Sequence, residues 1–176
     1  MLCPDCASRI SSVLAIRSAF RFEGAAKSAI HELKYHNVRA LAPTLAHYVS
    51  PLLQNVGFEP DIVLPVPMHR SRLRKRGYNQ AALLARAVAD ELELPIHFGS
   101  LARTGAAVSQ VSSSGGEARW RNVESAFMCT NGTVSDKRVL LVDDVCTTGA
   151  TIEACGRALR TAGATEIVAV TVAREV

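Results

Sequence analysis

The feature that most constrains the fold is a short run near the carboxyl end of the chain, RVLLVDDVCTTGAT at positions 138–151. Its apolar residues 139–142 are typical of a strand that is buried on both faces, as in a parallel sheet. The acidic pair Asp143-Asp144 is predicted to end that strand. Beyond the small residues that follow, a helix is predicted from Thr151, because apolar residues recur on one face at Ile152, Cys155, Ala158, Leu159 and Ala162.

The loop between this strand and helix has the chemistry of a phosphate-binding site. Backbone N–H groups in the first turn of a helix have no partners within it, and the helix dipole adds partial positive charge there. Gly149 permits a tight backbone, and the hydroxyls of Thr147, Thr148 and Thr151 suit phosphate oxygens. Two aspartates would repel a phosphate, so we expect them to accept from sugar hydroxyls or to hold a divalent cation near a second phosphate. The predicted ligand is a phosphorylated sugar with neighbouring hydroxyls.

The segment VLLVDDVCTTGAT resembles the phosphoribosyl pyrophosphate (PRPP) signature of type I phosphoribosyltransferases. The resemblance implies an α/β fold with a parallel sheet of four or five strands flanked by helices, together with a flexible hood segment. It implies that Asp143 and Asp144 bind the ribose hydroxyls, with Mg²⁺ held indirectly beside them. The residues implied to wrap the 5′-phosphate are Thr147, Thr148, Gly149, Ala150 and Thr151.

A strongly basic segment follows a second apolar strand, predicted at 61–67; five of the seven residues from 70 to 76 are basic. Ligands of parallel α/β sheets bind beyond the carboxyl ends of the strands, so this segment, which is predicted to be a loop, and the signature loop are expected to face one crevice. Arginine pairs bidentately with phosphate, which favours pyrophosphate as the occupant; a solvated face or a nucleic-acid patch is the alternative. The candidate residues are His69, Arg70, Arg72, Arg74, Arg76, Asn79 and Gln80.

The remaining elements alternate between strands and helices, which favours a parallel sheet. Further strands are predicted near 18–22, 96–101, 123–129 and 166–173. Further helices are predicted over 24–35, 39–56 and 80–94.

Three blocks resemble the ComF family, whose members are associated with DNA uptake in naturally competent bacteria and include the related GntX proteins. The blocks are HELKYHNVRALAPTLAHYV, PVPMHRSRLRKRGYNQAALLARAVA and the signature, in the same order. Residues 102–121, rich in serine and glycine, are interpreted as a mobile lid over the site or as a surface loop. The hood residues implied by the resemblance are Arg103, Gln110, Arg119 and Asn122. Gly105 and Ala107 depart from the polar residues usual in that lid.

The chain begins with a CxxC pair, Cys3 and Cys6. A structural zinc site needs four ligands, and no second CxxC follows, so the pair is interpreted as a zinc half-site left from a zinc ribbon. A redox motif is the other interpretation. We therefore divide the chain into a ribbon-like remnant at 1–16 and a phosphoribosyltransferase-like domain at 17–176.

Composition agrees with a cytoplasmic protein that binds anions. The formal net charge is +4, and no run approaches the length of a membrane span. A P-loop NTPase is excluded because GxxxxGK[ST] does not occur, and a receiver domain is excluded because too little chain follows Asp144. Two functions remain: a phosphoribosyltransferase acting on Mg²⁺–PRPP, or a non-enzymatic adaptor of DNA uptake that senses PRPP and contacts DNA or a helicase. No general base stands out, and the acceptor base and oligomeric state stay open.

Overall fold

The computed structural model describes residues 11–103, 127–130 and 132–175. In chain order the elements are β1 (Ala15–Arg21), α1 (Gly24–Tyr35), α2 (Leu41–Val49), a 3₁₀ helix (Ser50–Val56), β2 (Ile62–Pro65), α3 (Arg70–Arg76), α4 (Gln80–Leu92), β3 (Leu101–Arg103), β4 (Phe127–Cys129), a second 3₁₀ helix (Gly132–Val134), β5 (Arg138–Cys146), α5 (Ala150–Thr161) and β6 (Glu166–Arg174).

A four-stranded parallel sheet with the order β1-β6-β5-β2 forms the centre of the fold. Its two inner strands, β5 and β6, are nine residues long each, and each carries a run of four buried apolar residues, as expected where both faces are covered. Within the described residues five α-helices accompany the sheet, which confirms the predicted α/β class. The strand predicted at 96–101 contributes one bridge to this sheet, between Ile96 and Val63, whereas β3 and β4 pair antiparallel in a separate small sheet.

Two apolar layers cover the sheet, because alternate residues of a strand face opposite sides. Leu140 and Val142 of β5 pack with apolar residues of α1, α2 and α4, including Leu33. Val139 and Leu141 pack on the other side with α5 and the small sheet. The site-bearing strand is therefore fixed from both faces.

The signature strand is longer than the prediction, which ended it at the acidic pair. Pairing between β5 and β6 continues through Val145 and Cys146, so Asp143 and Asp144 lie within the strand. Strand β1 likewise begins at Ala15, ahead of the domain boundary predicted at residue 17. Val145 and Ile16 are β-branched and favour these extensions, whereas the two aspartates are held in the strand by its pairing with β6.

The basic segment is a helix and not the predicted loop. His69 caps α3, and Gly77 ends it with a left-handed φ of 82° that suits a residue without Cβ. The predicted helix over 39–56 also differs: the α-helix ends at Val49 and continues as a 3₁₀ helix, where Pro51 stands in the first turn. Proline lacks an N–H and clashes with the preceding turn, which explains the change.

None of the helices in the described ranges combines the length and the hydropathy that a bilayer span requires.

Candidate functional site

The acidic pair sits on β5 with its two side chains on opposite faces of the sheet. Asp144 shares the side of Leu140 and Val142, which α1 covers, and it is only 4% exposed. Its Oδ2 atom lies 3.0 Å from Nζ of Lys34 in α1. That distance makes an ion pair, but the angle does not make a hydrogen bond, and Oδ2 has no hydrogen-bond donor among the described residues. A buried acceptor without a donor fits a ligand that brings a hydroxyl.

Among the described residues, the side chain of Asp143, unlike Oδ2 of Asp144, accepts a hydrogen bond from the protein backbone. Its Oδ1 accepts a hydrogen bond of 2.8 Å from the backbone N–H of Asp144. Burial raises the pKa of the Asp143 carboxyl well above its usual value, and the negative charge of Asp144 raises it further, whereas that N–H and the Lys34 ammonium oppose the rise.

Carboxylate oxygens suit Mg²⁺, which usually keeps most of its ligands from water and substrate phosphates. The described residues contain no group of three or more His, Cys, Asp or Glu side chains placed to hold a metal ion. Two carboxylates at the site fit a cation that arrives with the ligand better than a cation held by protein alone.

The phosphate loop leads from β5 into α5, as the signature predicts. Gly149 is the residue before α5 and has a left-handed φ of 79°. A Cβ at Gly149 would also lie 3.2 Å from Cδ1 of Ile16, so the loop backbone runs close to β1. Thr147, Thr148 and Thr151 are exposed, and Thr148 Oγ1 accepts from the Ala150 N–H at 3.4 Å. Exposed hydroxyls and helix-start N–H groups thus occur together at the end of the strand.

The basic helix, α3, divides its arginines into two groups. Arg70, Arg72 and Arg74 are exposed and have no ion pair with a described residue. Arg76 is partly buried, donates to Gln80 Oε1 at 2.5 Å, and places its guanidinium 5.1 Å from the centre of the Tyr35 ring. The first three arginines are available to a polyanion, and the fourth also stabilises the fold.

Several other predicted site residues have internal contacts. His69 Nδ1 accepts from the N–H of Ser71 at 3.2 Å and so caps α3. Asn79 caps α4 by accepting from Ala81 N at 3.1 Å, and its Nδ2 donates to the Val66 carbonyl at 2.9 Å. Asn79 thereby ties α4 to the segment after β2. A direct ligand contact for His69, Asn79 or Gln80 remains a prediction.

None of the predicted site residues lies in the carboxyl-terminal turn of α1, although this turn contacts the site. Lys34 reaches the acidic pair, and the carbonyl of Leu33 accepts from the Tyr78 hydroxyl at 2.5 Å. The guanidinium of Arg39 lies 4.5 Å from the Tyr78 ring. The available signal was a lysine beside the apolar face of a helix, in a block that also resembles ComF proteins.

The predicted hood and zinc residues fall mostly outside the described part. Arg103 ends β3, with its guanidinium 5.4 Å from the Phe127 ring. Gln110, Arg119 and Asn122 lie outside the described residues, as do Cys3 and Cys6.

Two clefts lie away from this chemistry. One, of about 470 Å³, runs between α2 and α4 beside His47 and Arg86. The other, of about 610 Å³, lies beside the 3₁₀ helix and Phe58. Neither is lined by the acidic pair, the phosphate loop or the basic helix, so side-chain chemistry and not cleft size locates the candidate site.

Comparison with known proteins agrees with this arrangement. Residues 33–175 match the phosphoribosyl transferase domain family. The chain is 34% identical over 110 residues to competence protein F of Haemophilus influenzae. This alignment covers 61% of this chain and 48% of that protein. The chain is 29% identical over 143 residues to the DNA utilization protein YhgH of Escherichia coli O157:H7, in an alignment that covers 78% of this chain and 62% of that protein. The chain therefore spans about half to three-fifths of the length of these relatives.

A solved structure supports the fold. The glutamine PRPP amidotransferase from B. subtilis, complexed with ADP and GMP, aligns with a TM-score of 0.50 and 23% identity over 76% of this chain and 26% of that one. The fold, the signature loop and the sequence relatives lead to one family. The chain belongs to the phosphoribosyl transferase domain family, as a ComF-like protein with the type I phosphoribosyltransferase fold.

Proposed function

We propose that this protein binds PRPP together with Mg²⁺ and transfers the phosphoribosyl group to a nitrogenous acceptor, releasing pyrophosphate. The observation that carries the proposal is the buried Asp144 Oδ2, which has no hydrogen-bond donor among the described residues and stands on the strand that leads into the phosphate loop. A ribose hydroxyl would supply the missing donor.

Different residues of the site contact different parts of PRPP. Asp143 and Asp144 accept from the ribose hydroxyls, and the loop with Thr147, Thr148 and the α5 start receives the 5′-phosphate. Exposed arginines of the basic helix pair with the pyrophosphate, whose charge increases as it departs. When bound, Mg²⁺ supplies further neutralisation of that charge.

The transfer itself exchanges one bond for another. The bond between ribose C1 and the pyrophosphate oxygen breaks with its electron pair staying on the pyrophosphate, a bond from C1 to the acceptor nitrogen forms, and the proton of that nitrogen passes to the departing pyrophosphate or to water. The protein contributes by positioning the reactants and by stabilising the leaving group. The described part of the chain provides groups for both tasks.

Calorimetry with Mg²⁺ and PRPP tests the binding. We expect the unchanged protein to bind and the double variant Asp144→Asn with Thr148→Ala to lose the signal. Asp90→Asn, which changes an exposed aspartate of α4, is the matched control and keeps binding. Absence of binding by the unchanged protein would overturn the proposal. Pyrophosphate release with a panel of nitrogenous bases then shows whether transfer occurs.

A second candidate function is a non-enzymatic adaptor in DNA uptake that senses PRPP. The exposed arginines of α3 favour it, and the matched relatives include a competence protein and a DNA utilization protein. This function predicts that single-stranded DNA is retained in a salt-dependent way. The slope of the logarithm of the binding constant against the logarithm of the salt concentration should become less steep by about 0.7 for each phosphate that the protein no longer neutralises. Arg72→Gln with Arg74→Gln should reduce that slope while pyrophosphate release stays absent.

A further inference from the structure

Lys34 is the basic side chain that pairs with the acidic pair within the described residues. Its Nζ lies 3.0 Å from Asp144 Oδ2, and the two side chains are only 20% and 6% exposed. A pair this sheltered is screened less by solvent than a surface ion pair. Removing the lysine would leave a buried carboxylate without its counter-charge, which is far less favourable than breaking an ion pair on the surface.

The turn that carries Lys34 is fixed on both sides of it. On one side, the carbonyl of the fully buried Leu33 accepts from the Tyr78 hydroxyl. On the other side, the Tyr35 ring lies under the Arg76 guanidinium. Arg76 ends the basic helix, and Tyr78 follows shortly after it. The lysine is therefore held by the same stretch of chain that supplies the predicted pyrophosphate contacts.

This arrangement orients the carboxylate for a ligand. Lys34 lies against Oδ2 as an ion pair, and no described residue makes a hydrogen bond to that oxygen by geometric criteria, so the lysine supplies charge to Asp144 while Oδ2 keeps capacity to accept from a ligand. A sugar hydroxyl donates most strongly to a carboxylate that is charged and fixed in place. The ammonium therefore affects the part of the site that binds hydroxyls more than the part that binds phosphate.

We propose that Lys34 is a positioning residue of the candidate site, which acts through Asp144 to make the site selective for phosphates that carry sugar hydroxyls. The inference rests on the proposed function for the identity of the site. Lys34 lies outside both the signature and the basic helix. Its proposed effect is on the binding of the sugar hydroxyls and not of the phosphate.

The test compares ribose 5-phosphate with inorganic phosphate by calorimetry. Lys34→Met should weaken the binding of ribose 5-phosphate about tenfold, the effect of losing a charged partner at one hydrogen bond, and change that of inorganic phosphate less than about twofold. Lys34→Arg keeps the charge and should restore most of the affinity. Lys27→Met removes a charge from the same helix, where Lys27 lies over the Phe22 ring, and should change neither affinity.

A second background separates positioning from a general effect on folding. In Asp144→Asn, the further change Lys34→Met should alter the affinity for ribose 5-phosphate by less than about twofold, because the partner it acts through is gone. The double variant also lacks the buried carboxylate that Lys34→Met alone would leave unpaired. Its affinity for ribose 5-phosphate can therefore be measured even if Lys34→Met alone folds poorly.

The outcomes are distinct. If Lys34→Met binds ribose 5-phosphate as tightly as the unchanged protein, Lys34 does not position Asp144. If it loses both ligands equally and its urea midpoint falls, the role is structural and the inference is wrong. If the unchanged protein binds neither ligand, the proposed function itself fails, and this inference fails with it.

Discussion

Asp61 and Arg138 join the amino ends of two adjacent strands. The carboxylate of Asp61 accepts from Arg138 three times: from the backbone N–H at 2.8 Å, from Nε at 3.2 Å and from Nη2 at 2.9 Å. The side-chain hydrogen bond to Arg138 is the main reason that the pKa of Asp61 falls from 3.8 to about 2. The pair fixes the start of the strand that carries the acidic pair.

The first prediction concerns pH. Because the folded pKa of Asp61 lies below its unfolded value, the pair stabilises the fold fully above pH 3.8 and loses that effect as the pH falls towards 2. Asp61→Asn should lower the urea midpoint at neutral pH, and the difference from the unchanged protein should shrink between these pH values. A difference that stays constant with pH would show that charge at residue 61 is not the cause.

The second prediction concerns Gly156 in α5. Alanine in a helix interior is usually more stable than glycine by about 0.5–1 kcal/mol. Here a Cβ would lie 2.8 Å from Cγ1 of the buried Val13, which packs against α5. We therefore expect Gly156→Ala to destabilise the fold by about 1–3 kcal/mol, as overpacking does, in urea unfolding. Adding Val13→Ala should recover part of the loss; a stabilised Gly156→Ala would refute the close contact.

The third prediction concerns Gly149 in the phosphate loop. Its left-handed φ and its approach to Ile16 both disfavour a side chain, so Gly149→Ala should cost about 1–2 kcal/mol. The loop backbone must also shift, which should weaken phosphate binding in calorimetry. Gly132→Ala is the control, because a Cβ there has no neighbour within 4 Å. Equal effects at both glycines would mean that the loop conformation is not critical.

The fourth prediction concerns the sugar. If Asp144 accepts from a ribose hydroxyl, ribose 5-phosphate should bind at least about tenfold more tightly than 2-deoxyribose 5-phosphate or an analogue without the 3-hydroxyl, because the hydrogen bond to the carboxylate is then missing. The readout is competition calorimetry. In Asp144→Asn the preference should shrink to less than about twofold. An unchanged preference in that variant would place the hydroxyl contact elsewhere.

Much of the fold followed from local pattern. The apolar run Val139–Val142 and the helical spacing after Thr151 predicted β5, the loop and α5, because burial on both faces leaves a plain signal in sequence. The parallel sheet and the helix ends near Gly24, Tyr35 and Gln80 also followed from such patterns.

The remaining features depend on contacts that sequence periodicity does not encode. The acidic pair looked like the end of a strand because two charged residues seldom continue one, yet pairing with β6 extends β5 to Cys146. The run from Arg70 to Arg76 has no apolar face, so nothing in it indicated a helix. The approach of Lys34 to Asp144 joins residues distant in sequence, and only tertiary packing brings them together.

The helical form of the basic segment changes what its charges can do. Residues four apart share one side of an α-helix, whereas residues two apart point about 160° away from each other. Arg72 therefore shares a side with Arg76, which rests on Tyr35, while Arg70 and Arg74 point the other way. The arginines that are consecutive charges in the sequence therefore form two pairs on opposite sides of the helix. A single small ligand can contact one side of the helix, and the exposed arginines on the other side can then contact a different surface.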